Sequence, residues 1–158
     1  MEKRIISWTE LGRLIRKLVE EVRKGEKPDV VVGIARGGLL PAMVIADRLR
    51  VPLDFINIKS YRGPGVKGVL RVYDVMYEDV RDRSVLIVDD VADTGETFLF
   101  VTQHMIRKGA RSVLLASLFL KPWSKVKPNY YVEQTDEWIV FPWELGEFDM
   151  LDKEELLF

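Results

Sequence analysis

A chain of 158 residues, 47% hydrophobic and 31% charged, has the size and composition of one globular domain that can bury its own core. Its formal net charge of -1 offers no electrostatic attraction for nucleic acid or an anionic membrane surface, and no apolar run reaches the length of a bilayer span. There is no cysteine, which excludes disulfides and thiolate metal sites, and the start Met1-Glu-Lys-Arg is not that of a signal peptide. A single domain over residues 1–158, working in the cytoplasm, is the expectation.

The first predicted element is a helix. Ser7-Trp-Thr-Glu10 forms a capping box, Leu11, Leu14, Ile15, Leu18, Val19 and Val22 repeat at helical spacing, and Gly25 stops the run. Trp8 is expected to join the core. Lys27-Pro28 breaks the chain, and Asp29 to Ile34 reads as a buried strand that ends in Ala35-Arg36-Gly37-Gly38. A helix from Leu39 to Arg50 follows, with Pro41 near its start, where proline is tolerated. Two glycines beside an arginine at a strand end suit a phosphate contact, with Arg36 as a bidentate donor. An exposed arginine on a tight turn is the plain alternative.

Val51 to Ile58 is a third predicted strand. Gly63-Pro-Gly-Val-Lys-Gly68 reads literally as Gly-x-Gly-x-x-Gly, but that dinucleotide fingerprint must open a helix. The residues after it, Val69 to Val75, alternate and are rich in β-branched side chains, so they read as a strand. The glycine-rich segment is then either a mobile lid or a plain hairpin connection. Glu78 to Ser84 is a charged turn.

Val85-Leu-Ile-Val-Asp-Asp-Val-Ala-Asp-Thr-Gly-Glu-Thr97 is the stretch around which the chain is organised. Four apolar residues predict a buried parallel strand that stops at Asp89 and Asp90. A polar loop follows, then a helix from Phe98 to Lys108 that ends at Gly109. Strand, short loop and helix N-terminus together make an anion site, because the first-turn amides lack intrahelical partners. Thr94 and Thr97 add hydroxyl donors, and Gly95 allows close backbone approach. Three aspartates beside that cradle suit a ligand that also carries sugar hydroxyls and a divalent cation, here Mg²⁺. Arg111 to Leu120 is a further buried strand. It delivers Lys121 at its C-terminal end, where ligands bind in open α/β sheets. His104, the sole histidine, reads as a surface or packing residue. The tail from Tyr130 to Glu144 is aromatic and could cap the core.

The stretch 85–97 closely resembles the phosphoribosyl-pyrophosphate (PRPP) motif of the type I phosphoribosyltransferases: an apolar run, two acids, two residues, Asp-Thr-Gly, any residue, Thr. The likeness runs from about Ile6 to Gly146. Lys121-Pro, an acidic turn, Trp138-Ile139 and Pro142-Trp143 narrow it to the xanthine-guanine and archaeal purine branch. The resemblance implies an α/β fold, a mostly parallel sheet flanked by helices, with a small hood. It implies transfer of the phosphoribosyl group from PRPP to a 6-oxopurine (guanine, xanthine or hypoxanthine) in purine salvage, with Mg²⁺, in a homo-oligomer, dimer or tetramer. No nucleic acid or membrane partner is implied.

By the same resemblance, Arg36 and Gly37 lie in the pyrophosphate loop, and Lys67 stands near the basic side chain of the hood, with Arg62 and Arg71 as competitors. Asp89 and Asp90 meet the ribose hydroxyls and the metal environment, with Asp90 as metal partner. Asp93, Thr94, Gly95, Glu96 and Thr97 form the 5′-phosphate loop, and Asp93 also meets N7 of the purine as the catalytic proton acceptor. Lys121 meets the exocyclic oxygen of the base, Trp138 stacks on it and the backbone at Ile139 reads its other edge. Glu96 departs from the pattern, since a small residue is common there, and the hood is short. The alternatives are a xanthine-selective or adenine-type transferase and, from another class, a non-catalytic regulator that senses PRPP or a nucleotide. A kinase is disfavoured, because no Gly-x-x-x-x-Gly-Lys-Ser/Thr occurs.

Overall fold

The structure, a computed structural model, describes residues 1–61 and 68–144. Its elements are β1 (Lys3–Ile5), α1 (Trp8–Arg23), β2 (Val30–Ala35), α2 (Leu39–Leu49), β3 (Leu53–Tyr61), β4 (Val69–Tyr73), β5 (Ser84–Ala92), α3 (Glu96–Arg107), β6 (Ser112–Leu120), β7 (Tyr130–Gln134) and β8 (Trp138–Val140). Six strands form one sheet in the order β4-β3-β2-β5-β6-β7. All its neighbours are parallel except β3 and β4, which pair antiparallel. β1 and β8 make a separate parallel pair, a small hood of chain start and tail that is distinct from the hood segment around Lys67. This is the α/β, mostly parallel architecture that the sequence implies. None of the described helices is long and apolar enough to cross a membrane.

The pleat of the strands divides the core into two layers, since alternate side chains face opposite ways. Val31, Leu86 and Val88 face α1 and α2, where Leu14, Leu18 and Ile45 meet them. Val30, Val32, Val85 and Ile87 face α3, against Phe98, Val101 and Met105. With both faces covered, the central strands are apolar throughout, as a parallel sheet requires. The capping box forms at the start of α1, where the amide of Glu10 donates to Ser7 Oγ at 3.1 Å. Strands run outward in both directions from the β2–β5 pair, so the loops that follow β2 and β5 part there. Such a switch point is where open α/β sheets bind ligands.

Several boundaries differ from the sequence reading. β5 does not stop at Asp89 and Asp90 but runs through Ala92. Its ladder with β2 ends at Gly33 and Val88, whereas its ladder with β6 continues through Asp89–Ser117, Val91–Phe119 and Ala92–Leu120. Both acids therefore lie within the strand. α3 starts at Glu96, not Phe98, because Gly95 at φ 83° turns the chain into the helix within one residue. β3 reaches Tyr61 through its antiparallel pairing with β4. Trp8 is not core: it is the first residue of α1 and 40% exposed, and the buried stripe begins at Leu11.

Candidate active site

The site lies at the C-terminal ends of β2, β5 and β6. The loop after β2 passes through Gly37 and Gly38 and must press close to β5. A Cβ at Gly38 would fall within 2.8 Å of both the backbone nitrogen and oxygen of Ile34 and nearer still to the Val88 carbonyl. A Cβ at Gly37 would run into the Asp90 carboxylate. Backbone on two strands thus requires glycine at 38, whereas a side chain at 37 would displace the Asp90 carboxylate. The Ala35–Arg36 peptide is cis. Arg36 and Gly37 line a hollow of about 220 Å³ with Leu39, Leu40 and Trp143.

Strand alternation sends the two carboxylates to different hollows. Asp90 opens into the largest site cavity, about 500 Å³, and Asp89 into a smaller one of about 150 Å³ beside the α3 N-terminus. The exposed area leaves each half-buried, yet protein surrounds both closely. Desolvation by burial, then the charge of Asp90, pushes the Asp89 carboxyl well above the usual carboxylate range. Asp90 is pushed up to about 6, chiefly by burial and with a contribution from the Glu144 carboxylate. The amide of Asp90 donates to Asp89 Oδ1 at 2.9 Å, and the amide of Val91 donates to Asp90 Oδ1 at 2.7 Å. Among the described residues no group of three or more His, Asp or Glu side chains converges as a metal cage.

The smaller hollow has the make-up of an anion cradle. Asp93, Thr94, Gly95 and Thr97 line it, and the N-cap Gly95 offers no side-chain acceptor to the first turn of α3. The amide of Glu96 donates to Thr94 Oγ1 at 3.3 Å. Glu96 lines neither hollow, and its carboxylate lies 3.7 Å from Lys125 Nζ at the surface.

The larger cavity gathers Asp90, Asp93, Thr94, Lys121, Trp138 and Ile139. Lys121 is only 6% exposed; its ammonium donates to the Glu137 carbonyl, and its amide donates to Ala92 O at 2.9 Å. Trp138 lies on the hood at 52% exposure, opposite Lys3 in the β1–β8 ladder, and Ile139 beside it is buried. Arg4 fastens this hood. Its guanidinium donates to Glu133 at 2.7 Å and Glu10 at 2.5 Å and sits over the Phe119 ring. Burial works against the Arg4 charge, but Glu133 and Glu10 outweigh it and raise the Arg4 pKa.

Asp89, Asp90, Asp93, Thr94, Gly95, Thr97, Lys121, Trp138 and Ile139 thus stand around two adjoining hollows that share Asp93 and Thr94, with Arg36 and Gly37 across the Asp90 contact. Lys67 and Arg62 lie outside the described residues. His104 lines none of the site cavities, and its Nε2 is 2.7 Å from Asp74 Oδ2. Sequence reasoning missed Trp123 and Glu144, which also line the larger cavity. The sequence signal for Trp123 was its place two residues after Lys121. For Glu144 it was an acid just after Pro142-Trp143.

A hollow lined by hydroxyl and glycine residues and an acid pair thus stand at the switch point of a mostly parallel α/β sheet, the place where open sheets of this kind bind ligands. The family follows from comparison. The model of the phosphoribosyl transferase domain matches residues 3–148, and the chain belongs to that family. A xanthine-guanine phosphoribosyltransferase of Roseobacter denitrificans is 32% identical over 157 residues, with 89% of this chain and 85% of that protein covered. The crystal structure of a purine phosphoribosyltransferase from Pyrococcus horikoshii superposes with a TM-score of 0.84 at 41% identity, covering 91% of this chain and 95% of that one. A hypothetical protein from Neisseria gonorrhoeae with bound ppGpp gives a TM-score of 0.80 at 25% identity, covering 99% and 96%.

Proposed function

We propose that the protein is a purine phosphoribosyltransferase of purine salvage, which transfers the 5-phosphoribosyl group from PRPP to N9 of a 6-oxopurine and releases pyrophosphate. The observation that carries this reading is one cavity holding Asp93, Lys121 and Trp138 that adjoins the cradle at Thr94–Thr97. The names of the relatives above point the same way. The reading as a non-catalytic sensor is not favoured, since two of the three relatives named above are phosphoribosyltransferases and Asp93, Lys121, Trp138 and Ile139 line one cavity.

In this proposal the backbone and hydroxyls of residues 94–97 hold the 5′-phosphate, Arg36 and Gly37 meet the pyrophosphate, and Asp89 and Asp90 accept from the ribose hydroxyls. Trp138 stacks on the purine, Lys121 donates to its C6 oxygen and the backbone at Ile139 reads the far edge. The bond from C1′ to pyrophosphate oxygen breaks as the bond from C1′ to N9 forms. The proton displaced from the purine imidazole passes to Asp93 at N7. Positioning and preorganised charge supply the rate.

An oxygen-only pair without histidine or cysteine suits Mg²⁺. The raised Asp89 and Asp90 carboxyls are acids short of positive charge, which a dication would relieve. Asp90 is the carboxylate that would hold Mg²⁺, and the ion would neutralise the leaving pyrophosphate. On this reading the enzyme acts as a homo-oligomer, dimer or tetramer, in the cytoplasm.

The deciding experiment compares kcat/KM for guanine, xanthine, hypoxanthine and adenine with PRPP and Mg²⁺. An ammonium is donor-only, so adenine's amino group at C6 would leave Lys121 facing another donor. Discrimination of roughly 10⁴-fold against adenine is expected. Transfer to none of the four would end the proposal, and adenine within tenfold of the best base would remove Lys121 from its assigned role.

A further inference from the structure

The turn after β6 touches the site at more points than Lys121 alone. The amide of Ser124 donates to the Lys121 carbonyl at 3.0 Å, which closes a turn with Pro122 and Trp123 at its centre. Proline in the first central position fixes the backbone there. The same segment is laced to the phosphate loop. The amide of Lys125 donates to Thr94 O at 3.0 Å, and Gly95 packs so closely that a Cβ on it would lie 2.7 Å from the Val126 nitrogen.

Trp123 projects from this turn into the base cavity, 47% exposed. Its indole Nε1–H donates to Asp93 Oδ1 at 2.9 Å. The Lys121 ammonium lies 5.6 Å from the centre of the same ring. Among the described residues, Trp123 supplies the one hydrogen bond to the Asp93 carboxylate. Asp93 sits on an exposed loop and would otherwise rotate about its side-chain torsions.

We infer that Trp123 is a positioning residue for Asp93: its indole N–H pins one carboxylate oxygen, so that the other is presented to the purine imidazole. This rests on the assignment of Asp93 as proton acceptor. Two of the groups the base must meet, Lys121 and Asp93, are then held in register by a single ring between them. A hydrogen bond from a fixed ring removes rotational freedom before substrate arrives, which is how preorganisation raises kcat.

The test is Trp123→Phe, which keeps an aromatic wall while deleting the donor, made in wild-type and Asp93→Asn backgrounds. A fall in kcat of roughly 3- to 10-fold is expected, the loss of an ordinary hydrogen bond, since exposure to water weakens the charge-assisted one. PRPP KM should stay within about twofold. In the Asp93→Asn background the same change should cost nothing further, because the side chain it positions can no longer take the proton, although its Oδ1 still accepts from the indole. Unchanged kcat in Trp123→Phe, or a full additive loss in the double variant, would overturn the inference while wild-type transfer leaves the enzyme assignment standing. An inactive wild type would sink both.

A second measurement does not depend on turnover. The four tryptophans give four indole N–H signals in a proton–nitrogen spectrum. The Trp123 signal, identified through contacts with the Lys121 methylenes, should move on Asp93→Ala and the other three should not. A stationary signal would refute the hydrogen bond even if Trp123→Phe failed to fold.

Discussion

Two neighbouring glycines give a paired prediction with opposite outcomes. In Gly37→Ala the new methyl meets the Asp90 carboxylate, 2.7 Å from Oδ1 and closer to Oδ2. Ordinary contact begins near 3.4 Å, so the carboxylate must retreat by upward of ~1 Å. It is the end of a side chain beside a cavity, so it can swing away. The cost is then little more than its hydrogen bond from Val91, about 1 kcal/mol. At 2–4 °C per kcal/mol for a chain of this size, the melting temperature should fall by roughly 2–4 °C. Activity should fall much further, by roughly 10²-fold, the loss expected when a site group is displaced by 1 Å. In Gly38→Ala the obstacles are the Ile34 and Val88 backbones in two central strands, which cannot yield. Overpacking there should cost about 3 kcal/mol or more and lower the melting temperature by upward of ~6 °C. Thermal melts and PRPP-dependent transfer by both variants decide the matter. A Gly37→Ala protein with wild-type kcat/KM would show that the placement of Asp90 against the loop is irrelevant to catalysis.

Further outcomes follow from the same site. Asp93→Asn keeps shape but removes the proton acceptor, and steady-state kinetics should show kcat down roughly 10²–10⁴-fold with PRPP KM little changed. Exhaustive chelation should abolish transfer and added Mg²⁺ should restore it; full activity in EDTA would exclude a metal role. The folded-state pKa of Asp90, about 6, stands above its ordinary value of 3.8. Its contribution to stability is therefore full below about pH 4 and is lost as pH rises through 6. Asp90→Asn should accordingly stabilise the ligand-free protein at pH 7.5, by on the order of 1 kcal/mol once contact with water is allowed for, while activity falls. Melts at pH 4 and 7.5 should show that gain only at the higher pH.

The parts of this molecule that were legible in the sequence are those where local chemistry and fold agree. Apolar runs at 30–34, 85–88 and 112–120 leave little choice but central strands, and the capping box and Gly25 bracket α1. The loop 93–97 reads directly, because an anion cradle needs small and hydroxyl residues before a helix. β1, β7 and β8 were not foreseen as strands. They are three to five residues long, and partners more than a hundred residues away define β1 and β8. Asp89 and Asp90 looked like a loop start because carboxylates disfavour strands; the ladder to β6 overrides that preference. Trp123 escaped notice because its role depends on where a turn aims its ring. Trp8 misled in the other direction, since a large apolar residue at a helix start need not reach the core.

The β1–β8 pair has a consequence for the order in which the site is assembled. Arg4 and Glu133, which tie the hood down, are 129 positions apart, whereas the cradle and its helix arise from one continuous stretch. Closing so long a loop carries an entropic cost that is recovered only once the intervening sheet exists. In refolding, the phosphate cradle is therefore expected to form with the central strands, and the wall carrying Trp138 to close over it afterwards. Base recognition would be the last property the chain acquires and the first it loses when the ends fray.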